Sequence, residues 1–356
     1  MRFGAHYLPT YIASLDGPVA AFYQHIFEQA ELMDTLGVHD LWVTEHHFHE
    51  YGGTISNPPT FLAAVARTTR RIHLGVAVSV LPLHNPVQIA EAYAMVDNIS
   101  NGRLEFGIGR GSTPPEFAGF GVSQADSALR MREAAEIIRQ AWTDETVNFH
   151  GELFSYSDIR VLPRPVQQPH PTIWVGASRS DDTFRWAGEK GYNLMTLPYM
   201  YEPPVLQHWV GVYKDALCAA GHDLAAHEIL GKFHIYVAPS DREAHEQAAK
   251  YFGNYETLTR ERNTLVRQPN GVARDRHDID NEIETGNVIA GDSARVIEII
   301  HRWKETIGLT TMSGTFHFGG MPQELALRNI RLFAERVMPE FPREAAATAS
   351  SASGRG

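Results

Sequence analysis

The sequence predicts an α/β protein: one (β/α)8 TIM barrel spanning residues 1–342, with insertions on its C-terminal face. Three observations point there. Apolar stretches rich in Val, Ile and Leu alternate with helical stretches at roughly 30-residue intervals, the pattern of a parallel sheet covered on its outside. Eight strand candidates can be counted, the number that closes such a barrel. No change of composition marks a domain boundary, and 356 residues accommodate one large barrel.

"RFGAHYL" reads as the first strand. A helix follows from about Pro18 to Leu36, with Phe22, Ile26, Ala30 and Met33 at helical spacing and Gly37 closing it. "HDLWVTE" is the second strand; Asn57-Pro58-Pro59 opens a helix through Ala66, and "IHLGVAVSVLP" is the third strand. Asn85-Pro86 caps and starts the next helix, which ends at Asn101-Gly102. "RLEFGIGRG" is the fourth strand. Residues 145–165 read as a hairpin insertion; "PTIWVGA" and a helix from Ser180 to Lys190 resume the alternation. "YNLMTL", a helix near 203–220, "GKFHIYVAP" and a last helix-strand-helix over 292–338 complete it. Residues 251–290 are charged with little apolar periodicity. Following the seventh strand, they are expected to form a floppy insertion or a mobile lid over the carboxyl face. The tail, 343–356, is small, polar and expected to be disordered.

The chain is 43% hydrophobic and 21% charged, an ordinary globular balance. A net charge of −11 argues against nucleic acid or an anionic membrane as main partner. No apolar run is long enough to span a membrane and no secretory leader is visible, so a cytoplasmic location is expected. The single cysteine, Cys218, lies in an apolar helical stretch and reads as a buried structural thiol.

Barrel chemistry sits where strands end. Glu45-His46-His47 follows the second strand, Gly109-Arg110-Gly111 the fourth and Ser178-Arg179-Ser180 the fifth, so three polar clusters share one mouth. His47-x-His49 has a spacing used by barrel metal sites, but only His84 is available nearby as a further ligand, and no metal is expected. Arg110, the Ser180 hydroxyl and the following helix start, with Thr183, could hold a phosphate; Ser180 could equally be a plain helix cap. "GIGRG" is not the dinucleotide glycine pattern.

The segments "WVTEHHFHEYG", "NPPTFLAAVARTTRRIHLGVAVSVLPLHNPVQIAEAYAMVDNISNGRLEFGIGRG" and "FHFGGMPQELALRNIRLFAERVMPEF" resemble the bacterial luciferase-like flavin-dependent monooxygenase family. That resemblance implies FMN, taken up reduced as FMNH2 from a separate flavin reductase. Oxygen (O2) adds to it as a flavin 4a-hydroperoxide, which oxidises a small organic substrate. It implies acid–base work by His46, and the neighbouring His47 and Glu45 are expected to orient that ring. It gives Arg110, Ser180 and Thr183 to the FMN phosphate, with Arg179 beside them. It also implies a non-prolyl cis peptide at Ala77-Val78 beneath the flavin ring, and a homodimer. Gly109 stands where luciferase has a reactive cysteine and Glu116 where it has an aspartate, so light emission is not expected. The alternatives are deazaflavin-dependent hydride transfer and a non-catalytic flavin-binding subunit.

Overall fold

The computed structural model describes residues 1–265 and 278–342, without the side chains of 261–265. The strands are β1 (Arg2–Tyr7), β2 (Asp40–Val43), β3 (His73–Val80), β4 (Leu104–Gly109), β5 (Val147–His150) and β6 (Ser155–Ile159). They continue with β7 (Thr172–Gly176), β8 (Asn193–Thr196), β9 (Ile229–Val237), β10 (Val288–Gly291) and β11 (Thr311–Thr315). The helices are α1 (Ala13–Asp16), α2 (Val19–Leu36), α3 (Pro58–Thr68), α4 (Pro86–Ser100), α5 (Pro114–Gly119) and α6 (Ser127–Thr143). After them come α7 (Asp181–Glu189), α8 (Pro203–Ala219), α9 (Asp241–Leu265), α10 (Ile279–Glu284), α11 (Ser293–Ile307) and α12 (Gln323–Arg336).

Strands pair in the order β11-β1-β2-β3-β4-β7-β8-β9, all parallel, and β9 returns to β11 to close an eight-stranded barrel. β10 pairs with the second half of β9, Val288 opposite His234, beyond the stretch that β8 covers. Paired residues on adjacent strands share a face. Trp42, Trp174, Met195 and Leu230 therefore fill the barrel interior as one apolar layer. The caps expected from sequence form: Asn57 and Asn85 accept backbone N–H groups at the starts of α3 and α4, and Gly37 closes α2 at φ 81°.

Three expectations need correction. Much of 251–290 has regular secondary structure and apolar periodicity: α9 buries Tyr251, Phe252 and Tyr255 on one face, a helical spacing that the surrounding charges mask in the sequence. α10 and β10 occupy the far end of that segment, while 266–277 and the tail 343–356 lie outside the described residues. The hairpin, β5 paired antiparallel with β6, leaves the end of α6, so it springs from the amino face. Its turn folds back along that helix, where Glu133 accepts the N–H groups of Glu152, Leu153 and Phe154. Of the two insertions, only α9–α10 follows a barrel strand on the carboxyl face. Cys218 is exposed, because the buried stripe of α8 runs through Leu206, Trp209, Val210, Tyr213 and Leu217 and passes it by.

Candidate active site

At the carboxyl end of the barrel, Ala77 and Val78 form a half-buried floor packed on the Trp42–Trp174 layer. Their peptide bond is cis and non-prolyl, as the resemblance implied, and the β3–β4 register shifts there. A Cβ on Gly109 would lie 2.3 Å from Val78 Cγ2, and one on Gly176 would lie 2.7 Å from Val78 Cγ1. The glycines that end β4 and β7 thus make room for the Val78 side chain. Gly109 serves the site through this packing.

After β2 the chain enters a loop that Phe48, at φ 63°, turns back on itself. This turn sends His46 and His47 in different directions. His46 Nδ1 lies 3.0 Å from Glu116 Oε1, and the same oxygen accepts the His47 backbone N–H at 3.1 Å. Glu116 is buried, in the first turn of α5. The imidazole of His46 is partly exposed and lies 5.5 Å, ring to ring, from Tyr51.

Glu45 and His47 form a separate network. Glu45 Oε1 lies 3.1 Å from His47 Nε2 and 2.5 Å from His84 Nε2, while Oε2 accepts from the Val80 N–H at 3.0 Å and from Ser79 Oγ at 3.4 Å. Burial alone would push the Glu45 carboxyl up, but the bonds from His47, His84 and Val80 outweigh it and hold the group down to about 2. The support expected for His46 from Glu45 and His47 therefore comes from Glu116, a residue whose role the sequence left open. Glu45, His47 and His84 present ligand atoms within 4.8 Å of one another, a possible divalent metal set among the described residues. The hydrogen bonds between them already satisfy the same atoms. A cavity of about 180 Å³ opens beside Glu45 and His84. A larger one, about 730 Å³, lies at the amino ends of β7 and β8, remote from these histidines.

The residues expected to bind phosphate, Arg110 and Ser180, follow the paired strands β4 and β7, Ile108 lying opposite Val175. Arg110 donates to Ser127 Oγ at 3.4 Å, at the first residue of α6. Ser180 precedes α7 without capping it through its side chain; its hydroxyl lies 3.2 Å from that of Thr183. Arg132 of α6 bonds Asp182 of α7 at 2.7 Å, setting the two helix starts side by side. Arg179 is exposed, beside the buried Tyr201. A cation, hydroxyls not used as caps and a helix start suit a phosphate. The apolar, half-buried Ala77–Val78 floor suits the face of an aromatic ring, so the residues present fit FMN. Ser127 and Arg132 carried no sequence signal, since neither stands at a strand end.

The fold and this site define a TIM-barrel protein with a polar mouth at its carboxyl end, and comparison identifies its family. The chain belongs to the luciferase-like monooxygenase family, whose model matches residues 1–311. The oxygenase component of flavin-dependent trigonelline monooxygenase from Acinetobacter baylyi is 29% identical over 331 residues, covering 90% of each chain. The crystal structure of monooxygenase RslO1 from Streptomyces bottropensis superposes with a TM-score of 0.88 at 31% identity, covering 96% of this chain and 100% of that one. The coenzyme F420-dependent tetrahydromethanopterin reductase from Methanopyrus kandleri shares the fold at TM-score 0.70 and 19% identity, covering 96% and 99%. Some curated alignments are shorter: the chain spans 48% of an uncharacterized protein from Sinorhizobium fredii, 38% identical over 165 residues. The chain is therefore an oxidoreductase enzyme. Among the described residues, no helix is long and apolar enough to cross a membrane.

Proposed function

We propose that this chain is the oxygenase component of a two-component monooxygenase, using reduced FMN from a separate reductase, O2 and a small organic substrate. The observation that carries this reading is His46, held by a buried carboxylate at the barrel end where Ala77 and Val78 also lie and where Arg110 and Ser180 follow the adjacent strands β4 and β7. Reduced FMN, when bound, supplies the electrons that split dioxygen, one oxygen atom entering the substrate and the other leaving as water. Arg110, Ser180 and Thr183 would hold its phosphate, Arg179 would sit at the rim, and Ala77 and Val78 would lie beneath the ring. His46 delivers and takes up protons, a task suited to an imidazole near neutral pH. Glu116 holds its Nδ1 and so fixes the orientation of the ring. The homologous flavin-dependent oxygenase component supports this reading, and a homodimer belongs to it; light scattering that finds a monomer at micromolar concentration removes the dimer.

The deciding experiment gives the purified chain chemically reduced FMN and oxygen with a substrate panel. Mass spectrometry should find one oxygen atom added, derived from 18O2. The structural likeness to an F420-dependent reductase favours a second reading, hydride transfer to or from a deazaflavin. Parallel titration with FMN and with F420 separates the two: tighter binding of F420, with no oxygen incorporation, selects the second.

A further inference from the structure

Three adjacent barrel strands turn a strip of polar side chains inward. Gly4 pairs with Ser313, Ser313 with Lys232, Thr315 with His234, and His6 with the interior Trp42. By the alternation of strand side chains, His6, Lys232, His234, Ser313 and Thr315 all face the barrel interior, above its tryptophan layer. All five are buried. Among the described residues, both ring nitrogens of His6, Ser313 Oγ and Thr315 Oγ1 have no hydrogen-bond partner. Leaving such groups unmet costs about 1–3 kcal/mol each, so a fold that gathers several in one place is built to pair them with something else.

The surroundings say what. Burial first, then the charges of Lys232, His234 and His46, hold the His6 imidazole well below its ordinary range, so it is neutral and offers one N–H. With the hydroxyls of Ser313 and Thr315, the strip presents donors, and the charge of Lys232 that acts on His6 makes their surroundings positive. Beside it, the ring of His234 is walled by Tyr199, Phe252, Tyr255 and Phe318 at centroid distances of 4.4–5.9 Å. We propose that this strip is the polar end of the substrate site, anchoring a substrate that carries an anionic oxygen, a carboxylate or acidic hydroxyl, on an apolar body. The assignment rests on the flavin monooxygenase reading, since His46, the proton-handling group of that reading, lies among the charges that act on His6.

The test titrates the FMN-loaded protein, by calorimetry and tryptophan fluorescence, with benzoate, hexanoate and 4-nitrophenolate. Each is compared with a neutral counterpart: benzamide, hexanamide and 4-nitroanisole. At least one anion should bind more tightly than its counterpart. Lys232→Met and His6→Phe should each weaken that anion at least about tenfold and leave its counterpart unchanged. The milder Thr315→Val serves if either variant melts early, with loss of the anion preference as the result expected. No anion preferred over its counterpart, or equal anion affinity in the variants and wild type, overturns the proposal. FMN affinity is measured on the same samples. Failure of the anion arm with FMN bound leaves the cofactor reading standing, whereas anion binding without FMN binding removes only the cofactor reading.

Discussion

His46 and Glu116, separated by 70 positions in the chain, meet at 3.0 Å between Nδ1 and Oε1. That carboxylate also takes the backbone N–H of His47, so one buried group fixes both the ring and the loop that carries it. Such a partner decides which ring nitrogen faces the chemistry. Glu116→Gln retains the shape and removes the charge. It should lower kcat about 10–100-fold, with little change in FMN affinity, and move the pH dependence of kcat. Unchanged kcat and pH profile would make Glu116 a structural residue only.

His46→Ala should cut coupled turnover about 100-fold or more while FMN still binds. In that variant reduced FMN should still consume oxygen and release hydrogen peroxide in place of product. Normal coupled turnover with intact FMN binding removes His46 from proton transfer.

Arg110→Ala should weaken FMN about 10–100-fold, the worth of a charge-assisted hydrogen bond, and leave riboflavin binding nearly unaltered. The comparison isolates the phosphate, because riboflavin has the same ring without it. Equal losses for the two flavins would place Arg110 elsewhere.

Glu45 makes stability depend on acid. Its folded-state carboxyl lies below its ordinary 4.5, at about 2. The stabilisation is therefore complete above about pH 4.5 and disappears as pH falls through about 2. Lowered that far, the group contributes roughly 3 kcal/mol. His317 adds to this: burial, outweighing its bond to the Met321 carbonyl, lowers it from 6.5 to about 4. The unfolded chain binds that proton first, so stability is lost as pH falls from 6.5 towards 4. Urea titrations from pH 7 to pH 3 should show a falling midpoint, with a shallower fall in Glu45→Gln below pH 4.5. A pH-independent midpoint would contradict both.

Chelation tests the Glu45–His47–His84 set. Dialysis against EDTA should leave turnover unchanged, because hydrogen bonds already hold these groups. Activity lost with EDTA and restored by zinc would convert the cluster into a metal site.

Sequence periodicity reached the fold because burial on one face repeats at fixed intervals. All eight strands that close the barrel were visible as apolar runs, and the capping Asn57 and Asn85 stood beside proline at helix starts. The aromatic face of α9 was hidden, since its Tyr251, Phe252 and Tyr255 are dispersed among charges that determine the local composition. The insertion 145–165 was located correctly along the chain. Its face was misjudged because a hairpin carries no mark of which barrel end it leaves.

The candidate site divides in the same way. By itself the sequence determined that His46, Arg110 and Ser180 follow strands, and strand ends of a parallel barrel converge whatever lies between them. Only the tertiary structure decided which groups touch. It set Glu116 against His46, turned Glu45 to His47 and His84, packed Val78 on Gly109, and aligned His6 with Lys232 across β1, β11 and β9. Those pairings depend on register and on where a loop reverses, which are fixed by packing among residues far apart in the chain, and no local pattern of residues encodes them.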